Sequence, residues 1–434
     1  MNPILLKPEA DHRSQVIVKG KPLGGLTATD YYALREQLWS AVIDSLESLS
    51  LRCNVVLIEG AGSPAEVNLK DRDIVNMRVA LHCRAPVLLV ADIDRGGMFA
   101  SLVGTLELLE PQERGLIRAF VINKFRGDLS LLRPGIKWLE ERTGVPVAGI
   151  IPYFHDIHIA EEDSVSLERR RAMKARGDFV LDVAVIGLPH ISNFDDFDPL
   201  EQESQVRLRY VERNDDLGVP DLIILPGTKS TMADLAYLKS RGLAEEILDR
   251  ARRGTPVIGI CGGYQMLGKV ILDPGHVESD KARAPGLGLL PVTTTFFPVK
   301  STHQVRGHVV SGKGLLRGAS NLPLNGYEIH MGETSGANLL RPFCIDERSR
   351  RPCQDLDGCL SPDGNVLGTY VHGLFHNEEL RRSMLAELAT RKGVAFRPAG
   401  RVVSKEEQYD RLAALVRSSL DIDLLYRTVD LKRR

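Results

Sequence analysis

The sequence predicts an α/β protein made of two domains, each built on a parallel sheet. Three observations carry that prediction. The chain is 434 residues long, enough for two or three domains. Short β-branched runs, apolar without alternation, recur along it and end in glycine or a polar residue. Such runs are what a parallel strand shows when both faces are buried. Each run leads into a longer helical stretch, the crossover that parallel strands require.

The elements follow in order. Strands are expected at residues 54–59 (NVVLIE), 86–92 (PVLLVAD), 118–124 (RAFVINK), 181–188 (LDVAVIGL), 221–225 (DLIIL) and 256–260 (PVIGI). A helix over 30–49 places Leu34, Leu38, Val42 and Leu46 on one stripe, with Thr29 as its cap. Two more helices are expected near 378–391 and 405–420. The basic run 168–177 (ERRRAMKARG) closes on glycine just before a new strand, which sets a domain boundary near 177. The domains are then 1–176 and 177–434, the second with a C-terminal helical extension. Residues 273–285 and 341–364 read as loops or hairpins.

Composition excludes several classes. Fifty-six basic against 57 acidic residues leave a net charge of −1, which argues against a nucleic-acid binder or a partner of anionic membranes. No apolar run approaches the ~20 residues of a membrane span. The opening MNPILLKPEADHRS lacks a basic start followed by an apolar stretch, so no secretory signal is expected. Six cysteines are too few for a disulfide scaffold, and the expected setting is cytoplasmic. Cys344, Cys353 and Cys359 match no common zinc spacing and read as free thiols. His155 and His158 read as polar loop residues. The sequence leaves open whether copies of the chain form a homo-oligomer.

The strongest chemical signal is Gly259-Ile260-Cys261-Gly262-Gly263, between the apolar PVIGI and the helical YQMLGKVI. In a glycine–x–nucleophile–x–glycine turn the strand-to-helix bend exposes the central side chain at a helix N-terminus, where the dipole favours a thiolate. A thiol needs a base, and among 11 histidines His372 has the best context, ending the strand-like 365–371 (NVLGTYV) before Gly373. The segment LPGTKST (225–231) lacks the glycine that must precede the lysine of a phosphate loop, because Thr228 stands there. It reads instead as a turn whose Gly227 N–H, with the N–H of Gly262, forms an oxyanion hole.

Taken together, LPGTKST, GICGGYQMLG, GYEIHMGET and GTYVHGLF resemble the glutamine amidotransferase domain of the cobyric acid synthase family. MNPILLKPEAD, LIEGAGSPAEVNL, VADIDRGGMFASL, VINKFRGD and HISNFDDFDPL extend the resemblance over essentially the whole chain. It implies a flavodoxin-like class I amidotransferase domain preceded by an incomplete P-loop domain like that of dethiobiotin synthetase. It further implies that Cys261 attacks the glutamine amide while His372 moves the proton. The glutamate that often follows the histidine by two residues in related enzymes is replaced here by Leu374, as in this branch, and what orients His372 is left open. Glu328 is one candidate.

In the front half the resemblance implies ATP and Mg²⁺. Glu59, Asp92 and Asp94 are the expected metal ligands, and Asn123 and Lys124 the adenine-side contact. The substrates implied are glutamine and a corrinoid, with amidation of side chains b, d, e and g of adenosylcobyrinic acid a,c-diamide. An a,c-diamide-forming amidotransferase, or a non-catalytic homologue, is the alternative. No phosphate-loop motif occurs in the 434 residues. A start codon misread at an internal methionine is the favoured explanation, because a sheet without its central strand exposes apolar edges. A true truncation and a second polypeptide are the others.

Overall fold

The computed structural model describes residues 2–10, 13–27, 34–70, 73–154, 157, 179–213, 216–398, 403 and 405–429. The chain folds into two compact units, residues 1–159 with 403–434, and residues 160–402. Among the described residues, no helix is long and apolar enough to cross a membrane.

The first unit opens with an antiparallel meander, β1 (Ile4–Ala10), β2 (Arg13–Val18) and β3 (Lys21–Thr27), that strand–helix alternation does not foretell. Helix α1 (Arg35–Ser50) fills most of the expected 30–49, and Leu38 on its inner face is buried. The proposed cap Thr29 lies outside the described residues. After α2 (Met77–Cys83) comes a parallel sheet of β4 (Val87–Asp92), β5 (Ile117–Phe125) and β6 (Val147–Pro152) in the order β4-β5-β6. Helices α3 (Met98–Leu108) and α4 (Leu129–Thr143) are its crossovers. Met98, Leu102 and Leu106, four apart on α3, pack with Phe120, Ile122 and Leu139 in one core.

One expected strand does not form. Residues 54–59 join no ladder, and Leu57 is 94% exposed. An extended apolar segment becomes a strand only where a neighbour takes up its N–H and C=O groups, and no described strand pairs with this one. Leu88 and Val90 on β4 are exposed as well.

The second unit has a six-stranded sheet in the order β17-β18-β10-β9-β7-β8. It comprises β7 (Leu181–Ile186), β8 (Val206–Val211), β9 (Leu222–Leu225), β10 (Val257–Ile260), β17 (Cys359–Leu360) and β18 (Val366–Thr369). All its pairings are parallel except β17 with β18. β9 and β10 are buried along their whole lengths, as their unbroken apolar runs predict. Helices α5 (Thr231–Ser240), α6 (Leu243–Arg252) and α7 (Gly262–Leu267) follow β9 and β10.

A second sheet joins β11 (Val270–Leu272), β12 (Arg283–Pro285), β13 (Thr293–Val309), β14 (Pro323–Ser335), β15 (Phe343–Arg348), β16 (Arg351–Asp357) and β19 (Val371–His372). The stretch 341–364 is a hairpin, as expected. Arg348 pairs with Arg351, and Ser349 and Arg350 both have positive φ. That is the backbone of a tight two-residue turn. Helix α8 (Glu378–Lys392) closes this unit.

The last helices, α9 (Lys405–Ser419) and α10 (Ile422–Thr428), return to the first unit. Asp421 N donates to Ala148 O at 2.7 Å, and Leu420, Leu424 and Leu425 pack on Ala119, Val121 and Ala148. Grouping them with the second domain followed chain order. Their apolar face is instead matched by the uncovered face of β5 and β6. The proposed 176/177 boundary lies outside the described residues, as do His155 and His158.

Candidate active site

Four neighbouring strands, β18, β10, β9 and β7, run parallel and bring their carboxyl ends to one edge. That edge is where open α/β sheets collect ligands and reactive groups. Cys261 follows β10, and its N–H donates to Thr369 O at 2.8 Å. Its φ of 52° and ψ of −108° place it in the strained region the elbow requires. The bend brings Gly263 against β9 so closely that a Cβ there would sit 2.0 Å from Leu225 O, and only glycine fits. Contrary to the exposed side chain expected of the bend, Cys261 is buried at 6% exposure, and its Sγ lies 3.5 Å from Ile329 O on β14.

His372 stands on the short β19, opposite Tyr327 of β14, and is fully buried. Its Nδ1 lies 2.7 Å from Asp196 Oδ2, while Asp196 Oδ1 accepts the Gly373 N–H at 2.7 Å. Asp196, 1% exposed, thus holds both the ring and the backbone beyond it. The Tyr327 ring stacks on the imidazole at 5.1 Å, and Asn193 Nδ2 lies 3.2 Å from each ring nitrogen. Burial alone would lower the His372 pKa, but the Asp196 carboxylate and the nearby Cys261 together raise it to about 10.

The orienting acid is therefore Asp196, from the HISNFDDFDPL segment after β7. Glu328 is not the partner: it is 2% exposed and bound by Arg348 at 2.9 and 3.1 Å. The signal for Asp196 was in the sequence, since a polar run follows a buried strand. Three acidic residues there gave no means of choosing among them before the fold placed one beside His372.

Gly227 follows β9. A Cβ on it would approach His372 Cε1 to 2.8 Å, so the missing side chain is what lets the imidazole lie against this turn. Asp234 fixes the turn from α5, accepting from Thr228 Oγ1 and from His190 N at 3.2 Å, and pairing with His190 Nδ1 at 2.7 Å. Among the described residues, neither the Gly227 N–H nor the Gly262 N–H has an acceptor.

In the first unit, Asp92 and Asn123 are register partners at the ends of β4 and β5. Asp92 Oδ2 pairs with Lys124 Nζ at 2.7 Å, which holds the carboxyl below its ordinary range. Asp94 lies 3.5 Å from Arg126, and Asn123 Oδ1 accepts the Lys124 N–H at 2.9 Å. The structure thus gathers Asp92, Asp94, Asn123 and Lys124 at one edge. Glu59 is exposed at the end of the unpaired 54–59 segment, and the three carboxylates do not converge on a common point among the described residues. With Asp92 held by a lysine and Glu59 apart, the three do not form a Mg²⁺ ligand set.

Comparison with known proteins bears on both units. Residues 182–380 match the CobB/CobQ-like glutamine amidotransferase domain, and residues 31–160 match an AAA domain. A cobyric acid synthase from Sorangium cellulosum is 54% identical over all of this chain and 86% of its own length. One from Dehalococcoides mccartyi is 50% identical over 98% of this chain and 84% of its own. One from Moorella thermoacetica is 50% identical over 100% and 84%.

Proposed function

The chain belongs to the cobyric acid synthase family, and from that premise we propose how its residues divide the work of a glutamine-dependent amide ligase. The observation that carries the proposal is the Cys261–His372–Asp196 line at the carboxyl edge of one sheet. The Cys261 thiolate attacks the side-chain carbonyl carbon of glutamine. The carbonyl oxygen takes the negative charge and is met by the N–H groups of Gly227 and Gly262. The C–N bond then breaks, and imidazolium His372 gives its proton to the departing nitrogen as ammonia. Asp196 fixes the ring through Nδ1, leaving Nε2 for this transfer. Water, deprotonated by the now neutral His372, attacks the glutamyl thioester. The C–S bond breaks to restore the Cys261 thiolate beside imidazolium His372, and the new carboxyl group of glutamate gives its proton to solvent.

The ammonia is consumed on a carboxylate. Oxide is a poor leaving group, so the carboxylate is first phosphorylated by ATP, and ammonia displaces phosphate from the acyl phosphate. The acceptor is a corrinoid, with amides formed at side chains b, d, e and g of adenosylcobyrinic acid a,c-diamide. Asp92, Asp94, Asn123 and Lys124 mark the edge of the first unit at which the nucleotide is held. ATP-dependent conversion of the diamide to cobyric acid, followed by mass, tests the proposal. Stepwise gain of four amides supports it. Glutamine hydrolysis with no corrinoid product at saturating ATP contradicts it.

A further inference from the structure

In the second unit, three side chains of different chemistry converge on one face of the second sheet. His308 of β13 is directly opposite Cys344 of β15, so both point to one face of the antiparallel pair. The register then slips. Arg306 faces Glu347 and Gly307 faces Ile345, which leaves Asp346 as an extra residue in β15. A β-bulge of this kind re-aims a side chain, and here the Asp346 carboxylate reaches both neighbours. Its Oδ2 lies 2.8 Å from His308 Nδ1, and its Oδ1 lies 3.6 Å from Cys344 Sγ. The imidazole nitrogen, thiol sulfur and carboxylate oxygen all fall within 4.8 Å of one another.

From this geometry we infer that His308, Cys344 and Asp346 form a binding site for a divalent d-block cation of the zinc type. Tetrahedral bonds of about 2.1 Å put neighbouring donors about 3.4 Å apart, and the observed 2.8 and 3.6 Å bracket that spacing. Nitrogen, sulfur and oxygen donors together suit Zn²⁺ better than Mg²⁺ or Ca²⁺, which take oxygen. On binding, the Cys344 S–H bond gives way to a sulfur–metal bond and the proton passes to water. No cation competes from Arg348, the nearest arginine along β15, because its guanidinium is held by Glu328 and Asp355. All three donors have partners in the absence of metal, and His308 lies on a different strand, far in sequence from Cys344 and Asp346. For both reasons no cysteine spacing announces the site. Its effect is to clip the β15–β16 hairpin to β13, and it has no part in the glutamine chemistry.

The test is titration of chelator-treated, reduced full-length protein with CoCl₂, in a Cys261→Ala background that removes the active-site thiol. We expect a sulfur-to-cobalt charge-transfer band in the near ultraviolet that saturates at one ion per chain and is displaced by ZnCl₂. Cys344→Ser abolishes the band, and His308→Asn and Asp346→Asn each weaken cobalt binding at least about tenfold. Cys53→Ser leaves it unchanged. Folding of every variant is checked by far-ultraviolet circular dichroism. A band that survives in Cys344→Ser, binding equal in all variants, or no band in the parent protein overturns the inference.

Discussion

Asp196 gives His372 two properties at once, a fixed ring and a retained proton. The pKa of about 10 means that the imidazole is charged across the neutral range, beside the Asp196 carboxylate. The alkaline limb of glutaminase activity should therefore lie well above the ordinary histidine value of about 6.5. Asp196→Asn removes the stabilising charge, so the limb should move toward lower pH and the rate fall by about 10²–10⁴. A rate against pH profile checks both, and a profile that does not move assigns Asp196 a purely structural part. The same raised pKa contributes to folding. That contribution is complete below about 6.5 and fades as pH rises through about 10. The melting temperature of wild type should thus decline over this window more than that of Asp196→Asn. Gly227 supplies a steric prediction. Its alanine variant sets a methyl 2.8 Å from His372 Cε1, so kcat should fall at least about tenfold with the far-ultraviolet spectrum unchanged.

Among the elements, the sequence was most readable where burial is two-sided. The runs at β7, β9 and β10 have no exposed face to impose alternation, and their ends match the residues read from pattern to within a few positions. The same reading failed at residues 54–59, because apolar character marks the capacity to be a strand and only a ladder partner realises it. It also missed the β1–β3 meander and the long β13–β14 ribbon, whose partners are set by register. Helix α9 was expected from the sequence but grouped with the second domain, and α10 was not foreseen, since nothing in an amphipathic stripe names the surface that covers it. Their docking has a tight point at Gly149 on β6, where a Cβ would sit 2.1 Å from Ser419 O. Gly149→Ala should cost about 1–3 kcal/mol by overpacking. Denaturant unfolding checks this, and an unchanged midpoint denies α9 a tight seat on β6.

For the whole molecule, the elbow, the histidine and the long motifs made the family legible in the sequence. The partner of His372 was not, because it lies 176 residues away along the chain. The division into an amidotransferase unit and a nucleotide-binding unit gives a prediction that neither alone would. Cys261→Ala should lose corrinoid amidation with glutamine as nitrogen source yet keep it with an ammonium salt, since ATP-dependent activation needs no thiol. Loss of both activities would mean that the cysteine also supports the first unit. The most direct measurement is steady-state release of glutamate from glutamine by wild type and by Cys261→Ala. The account predicts a fall of at least about 10³-fold with the protein still folded. A variant that hydrolyses glutamine at the wild-type rate would contradict it.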